Sequence, residues 1–138
     1  MTVRTLLVDD NKTFLAAVRN FLMMVPDIEI VGEAHDGWTA VEMAKNLNPD
    51  LVLLDIVMPE MNGLEVAQAL KDSLPPPRIV FLSMHDSASY RAAARELGAF
   101  GYVGKGDFVA DLIPIIDRLA ESVAGQGNGN VRAPGDLQ

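Results

Sequence analysis

Leu51-Val52-Leu53-Leu54-Asp55 is the stretch that decides the fold. Four consecutive apolar residues end abruptly in a carboxylate. A strand that is apolar on both sides is central in a parallel sheet, with helices covering both faces. The segments on either side support this reading. Upstream, Thr5-Leu6-Leu7-Val8 is a second apolar run and ends in Asp9-Asp10. Downstream, Ile79-Val80-Phe81-Leu82 ends at Ser83, and Gly101-Tyr102-Val103 ends near Lys105. Ile28 to Val31 supplies a further strand.

Helical stripes separate these runs. Asn11 can cap a helix carrying Phe14, Leu15, Val18, Phe21, Leu22 and Val25, which Pro26 stops. Ala40, Val41, Ala44 and Leu47 mark a second helix, ended by Asn48-Pro49. Val66, Ala67, Leu70 and Leu74 mark a third, ended by Pro75-Pro76-Pro77. Tyr90, Ala93, Ala94 and Leu97 mark a fourth, with Gly98 as its C-terminal glycine. Phe108, Leu112, Ile115, Ile116, Leu119 and Val123 supply the last. Pro114 interrupts that helix if Asp107 caps it, and falls in its first turn if Asp111 does. A kinked helix is the expected outcome. Five β-α units define an α/β fold with a mostly parallel sheet and right-handed crossovers.

Composition narrows the function classes. The 138 residues suit one domain, and 49% hydrophobic content suffices for a core. Without cysteine there is no disulfide or thiolate chemistry. No apolar run approaches the roughly 20 residues of a membrane span, and no cleavage pattern follows Met1-Thr2-Val3-Arg4. A cytoplasmic protein is expected. A net charge of −8 makes bare nucleic acid a poor partner. It also suits divalent cations or basic surfaces, or plain solubility. From Gly125 the sequence turns to Gly, Asn and Pro, so residues 1–124 read as the domain and 125–138 as a flexible tail or linker.

The chemistry concentrates at the strand ends. In open α/β sheets, ligands bind at the carboxyl edge near the switch in strand order. That edge would gather Asp9, Asp10, Asp55, Ser83 and Lys105. Alone, each is ordinary: an acidic pair is usually a turn, a lysine a solvated charge, a serine a cap. Clustered carboxylates stay ionised together only around a cation. An oxygen-only set with several open positions suits Mg²⁺. Asp55 can act as a nucleophile and form an aspartyl phosphate. Lys105 and Ser83 can stabilise the transferred group by charge and hydrogen bonding.

These residues resemble the response-regulator receiver domains of two-component signalling, over about residues 3–124. The resemblance rests on Leu-Val-Asp-Asp at 7–10, Leu-Asp-Ile-Val-Met-Pro-Glu-Met-Asn-Gly at 54–63, Leu-Ser-Met-His-Asp at 82–86 and Gly-Tyr-Val-Gly-Lys at 101–105. The last two blocks look most like the LuxR-type, NarL-like subgroup. The resemblance implies strand order 2-1-3-4-5 in a flavodoxin-like fold, an order the general rule for open sheets also illustrates with a receiver. It implies phosphorylation of Asp55 by a sensor histidine kinase. Asp10, Asp55 and the Val57 carbonyl would bind Mg²⁺, with Asp9 acting mainly through water. Ser83 and Tyr102 match the switch positions, which alter the surface of the fourth helix, fifth strand and fifth helix. The partners implied are the kinase and a C-terminal DNA-binding output domain or separate effector; the sequence leaves the oligomeric state open, with a homodimer through the fourth or fifth helix compatible with it. Many receivers place proline after the lysine, where this chain has Gly106. No output domain follows, which fits a single-domain regulator or a segment cut at its linker.

The remaining features read as structural. Met58-Pro59 shapes the loop after Asp55, and Gly63 opens the next helix. Trp38 is expected to be partly buried, Met23 and Met24 to pack, and His85 to lie in a surface loop. A P-loop is excluded by Ala99 and Gly106 at positions that need Gly and Ser or Thr. A haloacid-dehalogenase-like phosphatase would need a second Asp two residues after the nucleophile, where Val57 stands. A phosphorylation-independent scaffold with a decayed pocket is opposed by the presence of all five pocket residues.

Overall fold

The structure, a computed structural model, describes residues 2–84 and 87–127, with no side chains after Ser122. His85 and the side chain of Val123 therefore lie outside the described residues. Five parallel strands form one sheet in the order β2-β1-β3-β4-β5, as expected. They are β1 (Val3–Val8), β2 (Ile28–Ala34), β3 (Leu51–Asp55), β4 (Arg78–Ser83) and β5 (Gly101–Gly104). The helices are α1 (Lys12–Leu22), α2 (Gly37–Leu47), α3 (Gly63–Leu70), α4 (Ala88–Glu96) and α5 (Phe108–Gly127).

The central run behaves as its composition requires. All of β3 is buried. Its alternate residues feed two separate cores. Val52 and Leu54 join Ala40, Val66, Leu70 and Phe81 under α2, α3 and α4. Leu51 and Leu53 join Leu15, Val18, Leu112 and Ile116 under α1 and α5. Each fully buried aliphatic side chain contributes about 1.5–3 kcal/mol, so neither helical layer is dispensable.

Local chemistry sets the helix ends. The Asn11 side chain accepts the Phe14 N–H at the start of α1. Asp36 does the same for Thr39 at α2. Asn62 and Glu65 form a reciprocal capping box at α3. Asn48 ends α2 with φ +50°, and Gly98 follows α4 with φ +76°, the left-handed region where glycine carries no Cβ penalty.

Three expectations change, and one ambiguity is resolved. Trp38 is 67% exposed, because it lies on the solvent side of the first turn of α2. Met23 and Met24 are exposed, since they follow the end of α1 instead of extending its buried stripe. Leu74 is exposed and lies beyond α3, which ends at Leu70. Pro114 lies in the helix interior, as expected, and not in a first turn capped by Asp111. A 3-10 turn over Lys105–Asp107 leads directly into α5, leaving Pro114 inside the helix on its exposed side. The helix also overruns the composition change at Gly125 by continuing to Gly127.

Candidate functional site

The pleat sorts the strand-end residues between the two faces. Side chains alternate along a strand, so Asp55 shares the α1/α5 side with Leu51 and Leu53. By the same parity Asp9 follows Leu7, and Lys105 follows Val103. Ser83 shares its parity with Phe81 on the other side, where Tyr102 packs. The carboxyl edge thus carries a charged group beside α1 and a hydroxyl–aromatic pair towards α4.

The charged group is tight and largely buried. Lys105 Nζ lies 2.7 Å from Asp9 Oδ2 and 3.4 Å from Asp55 Oδ1. The side chains of Asp9, Asp55 and Lys105 are all at least nine-tenths buried. Asp9 Oδ1 accepts the Asn11 N–H at 2.8 Å, which ties the carboxylate to the turn before α1. Asp9 Oδ2 takes no hydrogen bond of ordinary geometry and faces the ammonium alone. Asp10 is exposed, and one carboxylate oxygen each from Asp9, Asp10 and Asp55 come within 4.8 Å of one another. The Asp55 carboxyl is pushed up to about 7. Burial is the largest cause and the Asp9 charge the next; Lys105 opposes them, and Asp10 adds a smaller upward push.

The residues fit a hard divalent cation. The donors are all oxygens, one face is open to water through Asp10, and a buried carboxylate oxygen lacks a hydrogen bond. The raised Asp55 carboxyl comes first from burial and then from the Asp9 charge, and a cation would offset both by favouring the ionised form.

The supporting loop is equally constrained. The Gly63 N–H donates to the Ile56 carbonyl at 2.7 Å, which folds the chain after Asp55 back on itself. Val57 lies in that loop and is 54% exposed, while Met58 is buried. Ser83 is buried at the end of β4, next to Leu82, which pairs with Asp55. Tyr102 pairs with Phe81, and Arg91 Cζ of α4 lies 4.4 Å from its ring centroid.

Sequence reading missed two participants. Phe14 read as one more core residue of α1, yet its ring centroid is 4.6 Å from Lys105 Nζ. Only its position four residues after Asp10 hinted at proximity to the pocket. The closeness of Gly63 to Asp55 was also hidden, because no sequence pattern reports how near two loop backbones come.

Fold and site together define a flavodoxin-like α/β domain with acidic residues and a buried lysine at its topological switch point. Residues 5–117 match the model of the response regulator receiver domain. The chain belongs to that family. It is 34% identical over 122 residues to the transcriptional regulatory protein DegU of Brevibacillus brevis, covering 88% of this chain and 52% of DegU. It is 38% identical over 115 residues to the nitrate/nitrite response regulator protein NarL of Escherichia coli K12, covering 83% of this chain and 53% of NarL. The chain therefore spans about half the length of these curated relatives. A LuxR-family two-component response regulator from Aurantimonas sp. SI85-9A1 superposes with a TM-score of 0.80 at 30% identity, covering 88% of this chain and 87% of that one. The LuxR-type, NarL-like resemblance and the flavodoxin-like fold both hold. No described helix is long and apolar enough to cross a membrane.

Proposed function

We propose that Asp55 accepts a phosphoryl group from the phosphohistidine of a sensor histidine kinase and that the modification reshapes the α4-β5-α5 surface. The buried contact of Lys105 with Asp9 and Asp55, beside exposed Asp10, carries this reading. An Asp55 carboxylate oxygen attacks phosphorus, the phosphorus–nitrogen bond breaks, and the donor imidazole leaves with its electron pair and takes up a proton. Lys105 holds a positive charge where the transferred oxygens arrive. Ser83 offers them a hydroxyl donor.

Asp10, Asp55, the Val57 carbonyl and, through water, Asp9 would hold Mg²⁺. When bound, the ion offsets charge developing on the phosphoryl oxygens. The protein's own contribution is to keep Asp55 desolvated and aligned. Added charge at Asp55 then biases a pre-existing two-state element. Ser83 and Tyr102, on the α4 side of the sheet, are its residues. The exposed Val57, which leaves no carboxylate two residues after Asp55, argues against a phosphatase role.

The domain runs past the expected boundary at residue 124 to the end of α5 at Gly127, and the segment that follows acts as a tail or linker towards a DNA-binding output domain or a separate effector. The protein is cytoplasmic and does not itself bind nucleic acid, and the switched face serves a homodimer contact. Incubation with Mg²⁺ and acetyl phosphate, followed by intact mass measurement, tests the reading. One added phosphoryl group is expected, and none in Asp55→Asn. No adduct, or an adduct that persists in that variant, would falsify it.

A further inference from the structure

The Lys105 ammonium is enclosed on one side by an aromatic face. Phe14 places its ring centroid 4.6 Å from Nζ, and the lysine side chain is only 6% exposed. The ring is itself braced. Phe108, the first residue of α5, meets Phe14 at 5.3 Å and 72°, and meets Phe21 at 5.9 Å and 86°. Phe14 and Phe21 stand seven residues apart on one face of α1, so the three rings form a block between α1 and α5.

We propose that Phe14 is a positioning residue whose ring face holds the Lys105 ammonium for phosphoryl transfer; this rests on the phosphoacceptor reading of Asp55. An ammonium stripped of water needs partners on every side. Asp9 and Asp55 supply two, but the same carboxylates are candidates for the cation. Oxygens engaged by a hard cation attract the lysine less. A ring face attracts a cation through its quadrupole and offers no lone pair to a hard dication. Its hold on Lys105 therefore does not compete with metal binding. It persists whether Asp55 is free or modified. The Phe108 ring, edge-on to Phe14, fixes its orientation, which a flexible side chain at position 14 could not match. The competing view is that Phe14 only fills space between α1 and α5.

Fluorination separates the two views, since it withdraws charge from the ring face while nearly preserving ring shape. The full chain is made with 4-fluoro-, 3,5-difluoro- and 3,4,5-trifluorophenylalanine at position 14. Beryllofluoride affinity in Mg²⁺ is read from amide chemical shifts, and the urea midpoint is read in EDTA. Affinity is expected to fall stepwise, reaching roughly three- to tenfold with the trifluoro ring. The urea midpoint should fall in the same order, and the midpoint series should flatten in Lys105→Met. The same fluorination at Phe21, which also packs on Phe108, should leave affinity unchanged. A flat affinity series at position 14, in a protein that still binds beryllofluoride, overturns the proposal. So does an equal loss from Phe21 fluorination, which would indicate packing alone. If the unsubstituted chain binds no beryllofluoride and gains no phosphoryl mass, the phosphoacceptor reading itself falls and takes this one with it.

Discussion

Gly63 lies so close to Asp55 that a β-carbon at position 63 would overlap the Asp55 carbonyl oxygen. It would also come within 2.9 Å of the Asp55 carbonyl carbon and the Ile56 Cα. All three neighbours are backbone atoms, so relief requires moving the loop that carries the proposed phosphoacceptor.

Gly63→Ala is therefore expected to destabilise the fold by about 2–4 kcal/mol, the range of overpacking that backbone cannot escape. Phosphoryl uptake at Asp55 should slow as well. Gly106→Ala is the control, because a β-carbon there meets nothing within 4 Å. Urea unfolding compares stability, and acetyl phosphate labelling compares rates. Equal midpoints for the two variants would show that the loop yields freely.

Much of this arrangement was legible in the residues. The unbroken run Leu51–Leu54 announced a two-faced central strand, and its alternate side chains do feed separate cores. The strand-end carboxylates and Lys105 converge because parallel strands all deliver their carboxyl ends to one edge. What escaped notice was set by tertiary geometry. Trp38, Met23 and Leu74 are large and apolar, but each sits just past the phase or end of its helical stripe, and composition alone does not report that phase. Pro114 was ambiguous because two acidic residues could each cap a helix. The 3-10 turn at Lys105–Asp107 decided the start, by carrying the chain from the buried lysine straight into α5.

The raised Asp55 carboxyl gives a signed pH effect. Its folded pKa is about 7 against 3.8 for the unperturbed group. Between those values the folded protein keeps a proton that the unfolded chain has lost. The Asp55 contribution to the stability of the metal-free protein therefore falls as pH rises from about 4 to about 7, and stays low above. Asp55→Asn removes the ionisation. It should stabilise the metal-free fold by about 2–4 kcal/mol at pH 8 and by close to nothing at pH 3.5. Urea midpoints across pH in EDTA measure both. A variant equally stable relative to wild type at both pH values would contradict the origin assigned to the shift.

Mg²⁺ should reverse that penalty through the same carboxylates. A ligand that binds only the folded state stabilises it by about 1.4 kcal/mol at tenfold excess over its dissociation constant. Wild type is expected to gain this at pH 8. Asp10→Ala should gain much less, because it removes the exposed carboxylate of the cluster. Thermal unfolding against Mg²⁺ concentration, at ionic strength held constant with potassium chloride, provides the comparison. A similar gain in both proteins would place the metal elsewhere.

The contact between Arg91 and Tyr102 bears on the switch. Arg91 Cζ lies 4.4 Å from the Tyr102 ring centroid, which joins exposed α4 to the half-buried ring on β5. A contact of this kind at a partly exposed site is worth about 0.5–1 kcal/mol. If phosphorylation turns the Tyr102 ring inward, the contact present here favours the starting position. Arg91→Ala should then raise the inward population by about two- to fivefold before phosphorylation, by simple conversion of that energy. Arg91→Lys should restore part of the difference, since an ammonium keeps the attraction to the ring but lacks the planar stacking of a guanidinium. Tyr102 ring resonances, recorded with and without beryllofluoride, report the two positions. The Arg91→Ala spectrum should shift partway towards the beryllofluoride-bound spectrum of wild type. Ring shifts in Arg91→Ala that move away from that position, or do not move, would mean that Arg91 does not bias the ring and that the bias lies in the packing of Tyr102 beside Phe81 and Ala94.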